Sequence, residues 1–200
     1  MSKIGLLTGT FDPVHLGHIE LAKAVQRAAR LDEVWFLVNV HAEESESYKK
    51  GAVSPSDRLN MVRIATSLDP ALLLYEGSLA DQPHTMQTFQ EVMQEFPGTE
   101  FVFVTGMDTI ARLDRWEDFD SVVKNASFAV AHRPGTSQAL SDLRERLGDL
   151  SDELKLMVFE FENFGAASST AIRQEIRAGR EPKYLDPRVF EYIKQGKLYQ

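Results

Sequence analysis

Apolar positions run along the chain in two alternating rhythms. Short runs that are apolar on successive residues predict β-strands: "KIGLLTG" (Lys3 to Gly9), "EVWFLVNV" (Glu33 to Val40), "ALLLYEG" (Ala71 to Gly77), "EFVFVTG" (Glu100 to Gly106), "SFAVAHR" (Ser127 to Arg133) and "KLMVFEF" (Lys155 to Phe161). Lacking strict alternation, several of them read as strands covered on both faces. Between them the apolar positions recur at helical spacing. In "GHIELAKAVQRAARL" Ile19, Ala22, Val25 and Leu31 keep near one stripe, and in "SPSDRLNMVRIATSL" a Ser/Asp start precedes Leu59, Val62 and Ile64. Strands alternating with helices imply crossovers, hence an α/β fold with a doubly wound parallel sheet. Ligands of such sheets bind beyond the carboxyl ends of the strands.

The closing stretch has a different rhythm. "ASSTAIRQEIRAG" (Ala167 to Gly179) sets hydroxyls before a helical pattern that stops on glycine. "LDPRVFEYIKQGKLYQ" offers Asp186 as N-cap and Pro187 at the first helical position. Residues 167–200 therefore read as a small helical segment packed on one domain spanning 1–200. "HAEESESYKKGAVSPS" (His41 to Ser56) is polar and aperiodic, the pattern of a long loop.

Composition narrows the chemistry. A chain of 200 residues can bury roughly 70% of its unfolded surface, and it contains no cysteine. Disulfides, thiolate zinc sites and a cysteine nucleophile are excluded. The first residues lack the apolar core of a signal peptide, and no stretch approaches the ~20 apolar residues of a membrane span. A cytoplasmic protein with no membrane partner is expected. A net charge of −8 disfavours a nucleic-acid-binding face but leaves room for a local phosphate site. The residues leave a homo-oligomer open.

Two of the five histidines, His15 and His18, stand in "GTFDPVHLGHIELA", where the first strand gives way to the first helix. Gly9 suits a tight turn, Asp12-Pro13 favours one, and Gly17 suits close approach to a ligand. His18 falls in the first helical turn, where free amides and the helix dipole favour an anion. Three readings stand side by side: turn and cap residues, a metal pair, or donors to a phosphoryl group.

These residues carry a resemblance. "TGTFDPVHLGH" resembles the (H/T)xGH signature of the nucleotidylyltransferase superfamily, and "ASSTAIR" its ISSTxIR signature. With "TGMDTIARLDRW", "AHRPG" and "YLDPRVFEYIKQGKLY", the order from Lys3 to Tyr199 is similar to the bacterial nicotinate (nicotinamide) mononucleotide adenylyltransferases. The resemblance implies a Rossmann-like sheet with helices on both faces. It implies adenylyl transfer from ATP to a pyridine mononucleotide, with Mg²⁺ on the ATP phosphates. His18 and His15 would be catalytic and, with Gly9, Thr10 and Phe11, would bind ATP. Gly106, Asp108, Ser168, Ser169, Thr170 and Arg173 would complete the ATP site. Thr85, Trp116 and Arg133 would hold the acceptor, for which nicotinate mononucleotide comes first, then nicotinamide mononucleotide or another phosphate ester. A relative that binds nucleotide without turnover is the reading from outside the enzymes.

Two departures accompany the match. Thr8 stands where the family often has a glycine. Glu43, Glu44 and Glu46 occupy the loop where a basic residue is usual, and acids there repel an anionic acceptor.

Overall fold

The computed structural model describes residues 2–39, 53–76, 91–106, 110, 127–132, 137–148, 155–160 and 167–200. Within these, the strands are β1 (Lys3–Gly9), β2 (Glu33–Val38), β3 (Leu72–Leu74), β4 (Glu100–Gly106), β5 (Ser127–His132) and β6 (Lys155–Glu160). The helices are α1 (Leu16–Ala29), α2 (Pro55–Thr66), α3 (Ser137–Leu147), α4 (Ser169–Arg177) and α5 (Pro187–Gln195). Strand β2 stops at Val38 and β3 at Leu74, before the ends of their apolar runs; the last residues of four runs, Val40, Gly77, Arg133 and Phe161, lie outside the described residues.

All pairings are parallel and the sheet order is β3-β2-β1-β4-β5-β6. The chain therefore leaves β1 in one direction for β2 and β3, and returns past β1 to build β4, β5 and β6. That reversal makes the crevice beyond the ends of β1 and β4 the switch point of the fold.

Both faces of the sheet are covered, which is why its strands are apolar on successive residues. Leu7, Val34, Phe36, Val102, Val104 and Ala129 point to one face, against α1, α2, α4 and α5. Ile4, Leu6, Leu37, Phe101, Phe103 and Phe128 point to the other, against Leu143 and Leu147 of α3 and against Val92 and Ile110. Leu6, Phe36, Phe103 and Phe128 are completely or almost completely buried, each contributing about 1.5–3 kcal/mol over an exposed position. The stripe expected on α1 is buried as expected, Ile19, Ala22, Val25 and Leu31 all lying in the first core.

Helix ends follow the local chemistry. The Ser54 hydroxyl accepts from the Asp57 amide at 3.1 Å to start α2, so the expected loop ends two residues before Ser56. The Ser168 hydroxyl caps α4 by accepting from the Ala171 amide, and Gly179 ends that helix in the left-handed region at φ +69°. Asp186 caps α5 with Pro187 behind it. Ile172, Leu185, Val189, Ile193 and Tyr199 bind this closing segment into the first core. Helix α3 was not marked by the two rhythms. A periodic signal was nonetheless present, since Leu140, Leu143 and Leu147 recur at helical spacing along it. No helix among the described residues is long and apolar enough to cross a membrane.

Candidate active site

The loop from Thr10 to His15 leaves β1 at the switch point and is held from every side. Arg58, fully buried in the first turn of α2, donates from Nη1 to the carbonyl of Thr10 at 2.9 Å and to that of Asn39. The Asn39 amide donates to the Gly9 carbonyl at 2.8 Å, tying the end of β2 to the end of β1. Phe11 sits in the left-handed region at φ +49° although buried, a conformation that costs a non-glycine residue about 1 kcal/mol or more. Its ring meets His18 edge-on at 5.0 Å and Phe36 at 5.5 Å.

The two glycines serve this packing in ways other than those expected. A Cβ on Gly9 would come within 2.9 Å of the Phe11 ring, so the glycine makes room for the phenylalanine; it is Phe11 that turns the chain. A Cβ on Gly17 would meet the His15 ring at 3.0 Å and Ala167 at 3.3 Å, so that glycine brings α1 close to the segment leading into α4. Thr8 fits in place of glycine because its backbone is ordinary strand.

His15 is the N-cap of α1 and His18 stands in its first turn. The rings stack at 3.7 Å between centroids, 20° from parallel. The His15 amide donates to His18 Nδ1 at 3.2 Å. An accepting Nδ1 carries no proton, so the neutral His18 ring holds its hydrogen on Nε2, as a donor. Charge is disfavoured on both rings. Burial lowers His15 from the ordinary 6.5 to about 4. Burial, and then the nearby His15, hold His18 well below its ordinary value. His15 Nδ1 is buried with no hydrogen-bond partner among the described residues. A buried polar atom without a partner is costly, and an arriving ligand that supplied one would recover that cost.

The start of α4 lies against this loop. Ser169 Oγ donates to the Pro13 carbonyl at 2.9 Å. Arg173 Nη1 donates to the Asp12 carbonyl at 2.6 Å and stands 3.7 Å from the Asp12 carboxylate. Arg173 Nη2 reaches the Thr170 hydroxyl at 3.4 Å. The Leu16 amide at the head of α1 donates to the Tyr184 carbonyl. Two helix starts, from opposite ends of the sequence, thus converge beyond β1. Neither α1 nor α4 has an acidic residue in its first turn. Helix dipole, amides, hydroxyls and imidazole donors, with no acid in either first turn and the Asp12 carboxylate engaged by Tyr199 and Arg173, are the groups that can hold polyanionic oxygen.

A family model described as cytidylyltransferase-like matches residues 6–175. The chain belongs to that family. The matched span of this cytidylyltransferase-like chain opens within β1 and closes within α4, so it includes both converging helix starts. Among curated relatives, a "Probable nicotinate-nucleotide adenylyltransferase" of Bacillus cereus (strain B4264) is 31% identical over 205 residues, covering all of both chains. A protein of the same name from Corynebacterium kroppenstedtii is 33% identical over 201 residues, 98% of this chain and 90% of that one. Among solved structures, the Plasmodium falciparum nicotinic acid mononucleotide adenylyltransferase complexed with NaAD superposes with a TM-score of 0.78 at 18% identity, over 100% of this chain and 98% of that one. At that identity the likeness is one of fold.

Of the residues singled out from sequence, Thr10, Phe11, His15, His18, Ser168, Ser169, Thr170 and Arg173 surround the junction of the two helix starts. Gly9 lies beneath it. Gly106 ends β4 in open space, with nothing within 4 Å of a Cβ built there. Thr85, Asp108, Trp116 and Arg133 lie outside the described residues.

Sequence reasoning missed Arg58, Asp12 and Tyr199 as the grip on the loop. For Arg58 a signal existed: it stands three and four positions before the buried Met61 and Val62, on the apolar side of α2. Tyr199 closes a stretch that carries the resemblance but had no periodic signal, because it follows the last helix in irregular backbone at φ +65°.

Proposed function

We propose that the chain is an adenylyltransferase that joins ATP and nicotinate mononucleotide to give nicotinate adenine dinucleotide and pyrophosphate. The observation that carries this reading is the meeting of two acid-free helix starts around His15 and His18 beyond β1, in a family whose full-length relatives bear that name. A phosphate oxygen of the mononucleotide attacks the α-phosphorus of ATP. A new P–O bond forms in line with the breaking bond to the β-phosphate, and pyrophosphate leaves. Attacker and target are both anionic, so catalysis consists of positioning and of neutralising charge.

The neutral His18 ring, with its proton on Nε2, would donate to an α-phosphate oxygen as charge builds there. His15 would donate beside it. The Phe11 amide and Thr10 would form the floor. The hydroxyls of Ser168 and Thr170 and the first amides of α4 would take the β- and γ-phosphates. Arg173, anchored on Asp12 through one nitrogen, would draw the departing pyrophosphate with its charge. Gly106 and Asp108 would receive the nucleotide, and Thr85, Trp116 and Arg133 the acceptor.

Mg²⁺ is implied by this chemistry. The donor set at the junction is imidazole, hydroxyl, amide and guanidinium, which suits phosphate oxygens better than a hard cation. The Asp12 carboxylate is already taken up by the Tyr199 hydroxyl and by Arg173. The fit is therefore to Mg²⁺ carried in on the triphosphate, where it would offset charge.

The test is pyrophosphate release from Mg²⁺-ATP with a panel of acceptors. Nicotinate mononucleotide is expected to give the highest kcat/KM. A higher value with nicotinamide mononucleotide or a non-pyridine phosphate would reassign the acceptor. ATP binding by folded protein with no release for any acceptor would identify a non-catalytic relative.

A further inference from the structure

Asp12 is 5% exposed and joins four stretches of chain. Its Oδ1 accepts from the Tyr199 hydroxyl at 2.6 Å, across 187 positions of sequence, and from the Val53 amide at 3.3 Å. Its Oδ2 faces Arg173 of α4 at 3.7 Å, and its carbonyl accepts from the same guanidinium at 2.6 Å. Asp12 follows Phe11, whose positive φ sets the turn, and lies three residues before the N-cap His15. The carboxylate is thus the node through which the histidine loop and the start of α4 are held in one arrangement.

We propose that Tyr199 is a positioning residue for the reaction, fixing through the Asp12 carboxylate the loop that aims His15 and His18. The inference rests on the function proposed above. Tyr199 is itself 6% exposed and packed in the core between sheet and helices, so its hydroxyl has one place to go. Burial and the adjacent Asp12 push its ionisation far above the ordinary tyrosine value, so it stays a donor at any working pH. Removing the hydroxyl leaves Oδ1, among the described residues, with the longer bond from Val53, and a buried carboxylate short of donors reorients toward others. The available donor is Arg173, on α4. Any swing of Asp12 toward it moves the segment between Phe11 and His15. A displacement of about 1 Å at reacting groups can cost a hundredfold in rate. Tyr199 lies beyond residues 6–175, the span the family model matches, and outside both signatures.

Tyr192 supplies a matched control. Its hydroxyl donates to Asp57 Oδ1 at 2.9 Å and accepts from Asn60 at 3.0 Å, bonds of similar kind between α5 and α2 that do not touch the loop. The experiment compares Tyr199→Phe with Tyr192→Phe in pyrophosphate release at 25 °C, with melting temperatures of both. Tyr199→Phe is expected to lower kcat by about tenfold to a hundredfold with a smaller change in KM for ATP. Tyr192→Phe is expected to lower the melting temperature while leaving kcat unchanged. Should Tyr199→Phe not fold, Asp12→Ala, which removes the acceptor through which Tyr199 acts, is expected to show the same fall in kcat. Wild-type kcat in folded Tyr199→Phe, or in Asp12→Ala where that variant carries the test, overturns the inference. Equal kcat losses in Tyr199→Phe and Tyr192→Phe also overturn it, since they would report general loosening. Inactive wild-type protein overturns instead the functional reading beneath it.

Discussion

At the start of α2 the Ser54 hydroxyl accepts the Asp57 amide at 3.1 Å and donates to the Asp57 carboxylate at 2.6 Å, with Pro55 removing one amide from the problem. Free donors, dipole and charge are answered within four residues. At the start of α1 the His15 amide is answered by His18 Nδ1, but there is neither a hydroxyl cap nor a charge to meet the dipole. The cap is a histidine, no acid stands in the first turn, and one buried imidazole nitrogen has no partner among the described residues. Both helices begin on the carboxyl side of a strand and pack on the same face of one sheet. The difference teaches how a helix start closed for the fold differs from one left open in the way the proposed phosphate site requires. The first neutralises itself, and the second leaves its positive end unanswered while other elements hold it rigid. Arg58, Tyr199 and Ser169 supply that rigidity at α1 from outside the helix.

The largest effect that could break the comparison is on turnover. His18→Ala is expected to lower kcat for nicotinate mononucleotide and ATP by about a hundredfold to a thousandfold, the loss associated with one donor aimed at developing charge. Steady-state kinetics on protein with unchanged far-ultraviolet dichroism measures it. Near-normal turnover would reduce the imidazole to a cap, like Ser54.

A second test uses protons. His15 titrates near 4 in the fold and near 6.5 when unfolded, so between these values the unfolded chain binds the proton that the folded chain refuses. Stability contributed by the neutral ring is fully present above about pH 6.5 and is lost as pH falls toward 4, by up to about 3 kcal/mol. His18 acts in the same direction. Denaturant midpoints at pH 7 and pH 5 should therefore fall with acidification in the wild type and fall less in His15→Ala. An equal fall in both would show that the acid sensitivity lies elsewhere. The self-neutralised start of α2 contributes no such histidine term.

How much of this could be read from the residues follows from the same contrast. Apolar runs covered on both faces and the caps at Ser168 and Asp186 depend on local chemistry, and they were legible. That the starts of α1 and α4 meet was legible only through the resemblance, because no local pattern joins stretches so far apart in the chain. The grip on the loop was not. It runs from Asp12 to Tyr199 and from Thr10 to Arg58, long-range bonds with no periodicity to mark them. Gly9 and Gly17 were legible as special, and packing adds what sequence could not: the Phe11 ring fills the space beside Gly9, and the His15 ring and Ala167 that beside Gly17.

Turning one kind of helix start into the other gives a smaller effect with an informative sign. Thr170, exposed in the first turn of α4, can be changed to Asp to supply the missing acid. The helix should gain about 0.3–1 kcal/mol from its dipole, seen as a higher melting temperature. The KM for ATP should rise about tenfold, because the new charge faces incoming phosphate. A gain in stability with unchanged KM would place the triphosphate away from α4.

The reverse change, at α2, should be the mildest. Asp57→Asn keeps an acceptor for the Tyr192 hydroxyl but removes the charge that answers the dipole. The expected loss is about 1 kcal/mol, or about 2–4 °C in melting temperature for a chain of this size. Values of kcat and KM for ATP should not move, because α2 touches the loop through Arg58, whose bonds to the carbonyls of Thr10 and Asn39 do not involve Asp57. A shift in either kinetic value would mean that the acid in α2 reaches the phosphate site electrostatically. The two helix starts would then belong to one field, and the division between a cap for the fold and a cap for the ligand would be one of degree.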